Sequence, residues 1–280
     1  MDEPANLIRM HSVAAVWSKK LREQLLGRND TIVIISYPKS GRTWHRTVLG
    51  HYLAGLTGGD IVHSLDTRKF TRQHGFPIIS YTHEGASFRS AIGPDHRLNG
   101  WGSTWKNRKI ILLIRDPRDV LVSSFHHATY RSKCFEGTLS QFVRHPYTGV
   151  DKWIMAHRNW RNCFAKSRGV LIQTYEGMHQ NHELALQRVL EFCEITPVQP
   201  ELVRSSVRFG ELDNMKMLEQ TNFFAHKSMS NKPDASAAKV RSGRTESYKD
   251  EMSEVDQQYV RDRLEALDFP FKRELADRVV

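Results

Sequence analysis

Residues 37–44, Tyr37-Pro38-Lys39-Ser40-Gly41-Arg42-Thr43-Trp44, set a lysine, a glycine and two hydroxyls between an apolar run and a helical pattern. A loop that opens a helix presents unpaired backbone N–H groups and the positive end of the helix dipole, which together suit an oxyanion such as phosphate. Gly41 lets the backbone approach a ligand closely. Lys39 adds a point charge, and Ser40 and Thr43 add hydroxyl donors. The Walker order G-x-x-x-x-G-K-[ST] is absent, because here the lysine precedes the glycine, and this argues against an ordinary ATPase or kinase. A plain strand–turn–helix corner with a solvated Lys39 is the competing reading.

A second segment runs Arg115-Asp116-Pro117-Arg118-Asp119-Val120-Leu121-Val122-Ser123. It places Ser123 about two helical turns beyond Arg115. An arginine fork and a hydroxyl can jointly hold a terminal phosphate. Arg118 and Asp119 read instead as members of a structural salt-bridge cluster. Between the two segments lies His83, in Tyr81-Thr82-His83, at the end of a strand pattern. Histidine has an intrinsic pKa near neutrality and suits a general base. The chain has 14 histidines, and a hydrogen-bonded structural role fits most of them, including His126 and His127. Glu84, beside His83, is a carboxylate alternative for the base.

These segments need a scaffold that gathers them. Thr31-Ile32-Val33-Ile34-Ile35 is a continuous β-branched run of the kind buried on both faces of a parallel sheet. Further strands are predicted over 77–82, 109–114 and 169–175. Helical spacing follows the first strand through Trp44, Val48, Leu49, Tyr52 and Leu53, and the third through Val120, Leu121 and Phe125. It returns over 182–193 and over 253–268, where Val255, Tyr259, Leu264 and Leu267 recur, and an amphipathic helix is predicted over 14–27. Strands alternating with helices predict an α/β fold, a central mostly parallel sheet flanked by helices. Ligands of such sheets sit at the carboxyl ends of the strands, where all of these motifs fall. Residues 226–247 lose apolar periodicity and read as a long loop or mobile lid. A single domain over 1–280 is expected, with 1–30 as an N-terminal helix and lead-in.

Composition narrows the class. The chain is 39% hydrophobic and 26% charged, as ordinary soluble proteins are. No apolar run approaches the roughly 20 residues of a membrane span. Asp2 and Glu3 are unlike the start of a signal peptide. Cys134, Cys163 and Cys193 form no C-x-x-C pair, which argues against a disulfide framework or zinc site and for a reducing, cytoplasmic setting. The net charge of +10 suits an anionic ligand, although an incidental basic excess looks the same.

The two basic segments together resemble the signatures of the cytosolic sulfotransferase family, which uses 3′-phosphoadenosine 5′-phosphosulfate (PAPS). The family's 5′-phosphosulfate loop, Y-P-K-S-G-x-x-W, is matched by residues 37–44. Its 3′-phosphate motif, an arginine followed eight residues later by a serine, is matched by Arg115 and Ser123. The resemblance covers roughly residues 30 to 270 and is closest in kind to a bacterial or natural-product-like member. It implies a P-loop-like PAPS site in which Lys39 stabilises the leaving phosphate. Ser40, Gly41, Arg42 and Thr43 would hold the 5′-phosphate and Trp44 would stack on adenine. It also implies 3′-phosphate binding by Arg115 and Ser123, adenine contacts from Tyr175 and Phe209, and closure by Arg241, Ser242 and Gly243. His83 would be the general base. PAPS is the only cofactor implied, with no metal.

Three positions depart from the family pattern. Tyr81 stands where a lysine usually precedes the histidine by two residues, Glu246 replaces a glycine, and Tyr248 replaces a tryptophan. The spacing of 44 residues from Lys39 to His83 and 32 from His83 to Arg115 places an acceptor loop over 83–106 outside the commonest arrangement. Phe88, Trp101, Trp105, Phe135 and Tyr147 read either as an acceptor pocket or as core. A small-molecule hydroxyl or amine is the expected acceptor, with neither nucleic acid nor membrane as partner. The oligomeric state stays open, a homodimer being one arrangement. The rival readings are a P-loop-like nucleotide kinase or hydrolase, a nucleic-acid-binding module, and a sulfotransferase fold without activity.

Overall fold

A computed structural model describes residues 31–84, 86, 105–232 and 237–280. The helix expected over 14–27 and most of the 83–106 loop, with Phe88 and Trp101, lie outside the described residues.

The chain runs β1 (Ile32–Ser36), α1 (Arg42–Thr57), α2 (Thr67–Gln73), β2 (Ile79–Thr82), β3 (Lys109–Ile114), α3 (Pro117–His126), α4 (Leu139–Arg144) and α5 (Val150–Cys163). It continues through β4 (Gly169–Thr174), α6 (Tyr175–Gln180), α7 (His182–Phe192), α8 (Pro200–Phe209), α9 (Leu212–Gln220), α10 (Glu254–Ala266) and α11 (Lys272–Ala276). Among the described residues the strands form one sheet in the order β2-β1-β3-β4, and every pairing is parallel.

The apolar runs explain the layers. In β1, Val33 and Ile35 join one core while Ile32 and Ile34 join another. β3 repeats this, with Ile110, Leu112 and Ile114 on the first face and Ile111 and Leu113 on the second. Alternate side chains point to opposite faces, so a strand apolar throughout must be covered on both sides. Val120, Phe142, Trp153 and Val260 cover the first face from α3, α4, α5 and α10. Leu49, Leu53, Leu190 and Val203 cover the second from α1, α7 and α8. The expected α/β architecture is present.

Boundaries differ where polar groups intervene. β2 begins at Ile79 rather than 77, since Pro77 has no N–H to add to a ladder. β4 ends at Thr174, whose hydroxyl accepts from the Gly177 N–H at 2.9 Å and caps α6, so Tyr175 opens a helix instead of closing a strand. α10 keeps the expected helix, but Val255 faces solvent at 72% exposure while Val260 is buried. Residues 226–247 contain 3₁₀ turns at Lys227–Met229 and Ser247–Asp250. Trp105 and Phe135 belong to the core and Tyr147 is exposed, and none of the three lines the cavity found among the described residues. Cys134, Cys163 and Cys193 form no disulfide.

Strand order positions the site. β1 leads outward on one side to β2 and on the other to β3, so the chain reverses direction across the sheet between β1 and β3. The loops leaving such strands splay apart and leave a crevice beyond the carboxyl ends. The segments after β1, β2, β3 and β4 carry Lys39, His83, Arg115 and Tyr175 respectively.

Candidate active site

A cavity of about 600 Å³ occupies that crevice. Its wall includes Lys39, Gly41, Arg42, Thr43 and Trp44 from the first loop, His83, Arg115 and Ser123, Tyr175, and Arg241, Ser242 and Gly243. The structure thus brings together in one space residues up to 204 positions apart in the chain.

The first loop is built to leave donors available. Gly41 is the N-cap of α1 with φ 86°, and no side chain caps this 16-residue helix. Its first-turn N–H groups therefore have no partner within the helix and carry the positive end of its dipole. A Cβ on Gly41 would lie 2.6 Å from the Tyr175 ring, so a side chain there collides as well as straining the backbone. Lys39 also adopts a positive φ, 73°. A left-handed lysine costs about 1–2 kcal/mol. Ser40 is fully buried, off the cavity wall, and its hydroxyl finds no partner among the described residues.

Arg115 is 8% exposed and heavily engaged. It donates to the carbonyls of Lys39 at 3.3 Å and Arg244 at 3.0 Å, pairs with Asp119 at 3.4 Å, and lies 4.1 Å over the Tyr175 ring. Its fork is therefore oriented before any ligand arrives. The salt-bridge cluster expected for Arg118 and Asp119 is present and takes in Arg115 as well: Arg118 holds Asp116 bidentately at 2.9 and 2.5 Å, and Asp119 faces Arg115. Asp119 has a fully buried side chain and accepts from the Glu246 N–H, the Ser247 hydroxyl and the Tyr248 N–H at 2.8–3.0 Å. It ties the segment after Gly243 to α3. Asp119→Ala leaves those donors and Arg115 without a buried counter-charge and is expected to lower stability by about 3–5 kcal/mol. A urea midpoint unchanged from wild type would show that the tie carries no such weight.

One end of the cavity is aromatic. Trp44 donates from Nε1 to the Gly210 carbonyl at 2.8 Å and meets Tyr175 edge-on at 5.4 Å. His179 and His182 approach its ring at 4.7 and 4.2 Å. Both histidines line the cavity. His179 follows Tyr175 by one helical turn within α6, whereas His182 opens α7, so no single periodic pattern marks the two histidines. Tyr175 also donates to the Gly243 carbonyl at 2.9 Å. Phe209 lies off the cavity: its ring stacks on His51 at 4.4 Å and meets Phe224, while the neighbouring Gly210 forms the wall.

His83 donates from Nδ1 to the Ser36 carbonyl at 2.7 Å. A carbonyl only accepts, so in the neutral ring the proton sits on Nδ1 and the lone pair on Nε2, the form a base requires. Glu84 does not line the cavity. Tyr81 is turned aside, its hydroxyl 2.7 Å from His45 Nδ1.

Among the described residues, Lys39, Arg42, Arg115, Lys239 and Arg241 line the cavity against one carboxylate, Glu211. Burial, then repulsion from Arg115, Arg131 and Arg241, lowers the Lys39 ammonium to about 8. Arg241 pairs with Glu251 at 2.8 Å, whereas Lys39 has no carboxylate within ion-pair distance among the described residues. A helix start without a cap, an uncompensated lysine and a pre-aimed arginine form a receptor for an anion charged at more than one point.

The sulfotransferase domain model matches residues 101–269, more than half of the chain. The chain belongs to the sulfotransferase domain family. This sulfotransferase is 26% identical to the amine sulfotransferase of Oryctolagus cuniculus over 267 residues, covering 88% of this chain and 83% of the relative. It is 26% identical to the luciferin sulfotransferase of Photinus pyralis, over 81% of this chain and 68% of that one. Its fold superposes on the crystal structure of mouse sulfotransferase SULT7A1 complexed with PAP with a TM-score of 0.59 at 18% identity, covering 92% and 91% of the two chains. The sulfotransferase is thus an enzyme of sulfuryl transfer, and the kinase or hydrolase reading of residues 37–44 is set aside. No helix among the described residues is long and apolar enough to cross a membrane.

Proposed function

We propose that the sulfotransferase divides its reaction among the loops that follow β1, β2 and β3. PAPS supplies the sulfuryl group, which passes to a hydroxyl or amine of a small acceptor and leaves PAP. The observation that carries this reading is that Lys39, His83 and the Arg115–Ser123 pair all wall one cavity. The residues fit the donor: a phosphate-type helix start at one point, a braced arginine with a serine at a second, and aromatic rings for a base between them.

In this assignment the N–H groups of Arg42, Thr43 and Trp44 hold the 5′-phosphate, and Arg115 with Ser123 holds the 3′-phosphate. Trp44 and Tyr175 flank adenine, and Arg241, Ser242 and Gly243 close the cavity over the nucleotide. Lys39 faces the oxygen on which charge grows as the sulfuryl group departs. His83 Nε2 takes the proton of the attacking acceptor. Positioning and fixed charge supply most of the rate, as in phosphoryl transfer. The named acceptors of two relatives, an amine and a luciferin, support a small-molecule acceptor here. In this assignment the chain is one catalytic domain working in the cytoplasm.

Nucleotide binding tests it. Arg115→Ala is expected to weaken PAP binding by about tenfold or more, the worth of a charge-assisted hydrogen bond. Calorimetric titration that returned the wild-type Kd would remove Arg115 from the 3′-phosphate site.

A further inference from the structure

Lys239 lines the same cavity as Lys39, from the segment that leads into Arg241. Its backbone is pinned. Glu219, near the end of α9 and 4% exposed, accepts from the Lys239 N–H at 2.8 and 3.1 Å and from the Val240 N–H at 2.8 Å. Arg131 pairs with Glu219 at 3.1 Å and donates to the carbonyls of Ala237 at 2.6 Å and Ser230 at 2.9 Å. A buried ion pair therefore grips the chain on both sides of Lys239 and leaves its side chain at the cavity wall.

The ammonium itself has no hydrogen bond and no carboxylate within ion-pair distance among the described residues. Burial disfavours its charge, and Lys39, Arg42, Arg131 and Arg46 repel it, so its proton is held well below the usual lysine range. Of the other cavity cations, Arg115 pairs with Asp119 and Arg241 with Glu251. Two lysines with no ion-pair partner among the described residues remain on the same cavity wall, and Lys39 repels the Lys239 ammonium. Such a pair is costly until a concentrated negative charge lies against it. On the donor reading above, the negative charge that meets Lys39 is the phosphosulfate, and its outermost oxygens are those on sulfur.

We propose that Lys239 is a second lysine of the transfer site, its ammonium donating to the sulfuryl oxygens of the bound donor while Lys39 faces the bridging phosphate oxygen. The Glu219–Arg131 pair is then the positioning element that presents it. Negative charge on the sulfuryl oxygens is met by a donor already in place, which needs no rearrangement during transfer.

PAPS and PAP differ only by the sulfuryl group, so they separate this contact from every phosphate contact. Both are titrated without acceptor into wild type, Lys239→Met, Lys239→Gln and Lys239→Arg. Lys239→Met and Lys239→Gln are expected to weaken PAPS about tenfold or more. PAP should stay within about twofold of wild type, and Lys239→Arg, which keeps the cation, should recover part of the PAPS affinity. Equal weakening of both nucleotides would place Lys239 on a phosphate and overturn the assignment. Wild-type PAPS affinity in the folded Met and Gln variants would overturn it too, with folding checked by the urea midpoint. If wild type bound neither nucleotide, the donor reading itself would fail, an outcome distinct from any result for the Lys239 variants.

Discussion

Replacing His83 by alanine is expected to lower kcat by about 10²–10⁴ while PAP affinity stays within about twofold of wild type. The expectation rests on the ring's tautomer. The Ser36 carbonyl takes the Nδ1 proton at 2.7 Å and leaves the lone pair on Nε2. His83 lines the cavity but sits on the loop after β2, apart from the loops that would hold the two phosphates. Losing it should therefore spare nucleotide binding. His83→Asn separates orientation from proton transfer, since asparagine can still donate to Ser36 but cannot act as a base near neutrality. Single-turnover rates for both variants are the measurement. Turnover by His83→Ala within tenfold of wild type would assign the base elsewhere, and Glu84→Gln would then be the informative comparison.

Lys39→Met is expected to cost about 10²–10³ in kcat, the scale for removing one preorganised donor to developing charge. The accompanying pH dependence has a definite sign. Burial and neighbouring cations lower the Lys39 ammonium to about 8, whereas an unfolded lysine titrates near 10.4. The unfolded chain thus binds more protons between those values, and folding stability contributed by Lys39 rises with pH across that window. At pH 7 the charged lysine is a burden on the fold, so Lys39→Met should raise the urea midpoint as it removes activity. In wild type kcat/KM, which reports the free enzyme, should fall as pH rises through about 8. That limb should vanish in Lys39→Met. A methionine variant both less stable at pH 7 and unaltered in pH profile would contradict the electrostatic account of this loop.

Much of the site was legible before any fold was known, because its signals are local. A β-branched run followed by lysine and glycine must be a buried strand entering a helix, and the glycine's φ of 86° follows from the turn. Arg115, at the end of β3, and Ser123, two turns on in α3, keep the spacing that their elements impose. Lys239, His179 and His182 also line the cavity without any local signal, while Phe209, expected near adenine, lies off it against His51 and Phe224. Nothing in the neighbouring residues of Lys239 marks it. Its place depends on Glu219, 20 positions earlier, and on Arg131, 108 earlier, meeting in a buried pair.

The sequence by itself determined the apolar runs, the two anion loops at their ends and the histidine between them, since periodicity and helix-start chemistry act over a few residues. Only the tertiary structure decided the strand order β2-β1-β3-β4 that opens the crevice between β1 and β3, that Asp119 and Glu219 hold the 237–248 segment, and that Trp105 and Phe135 are core. The physical reason is that burial and ion pairing are settled between distant elements by close packing, which no local pattern encodes.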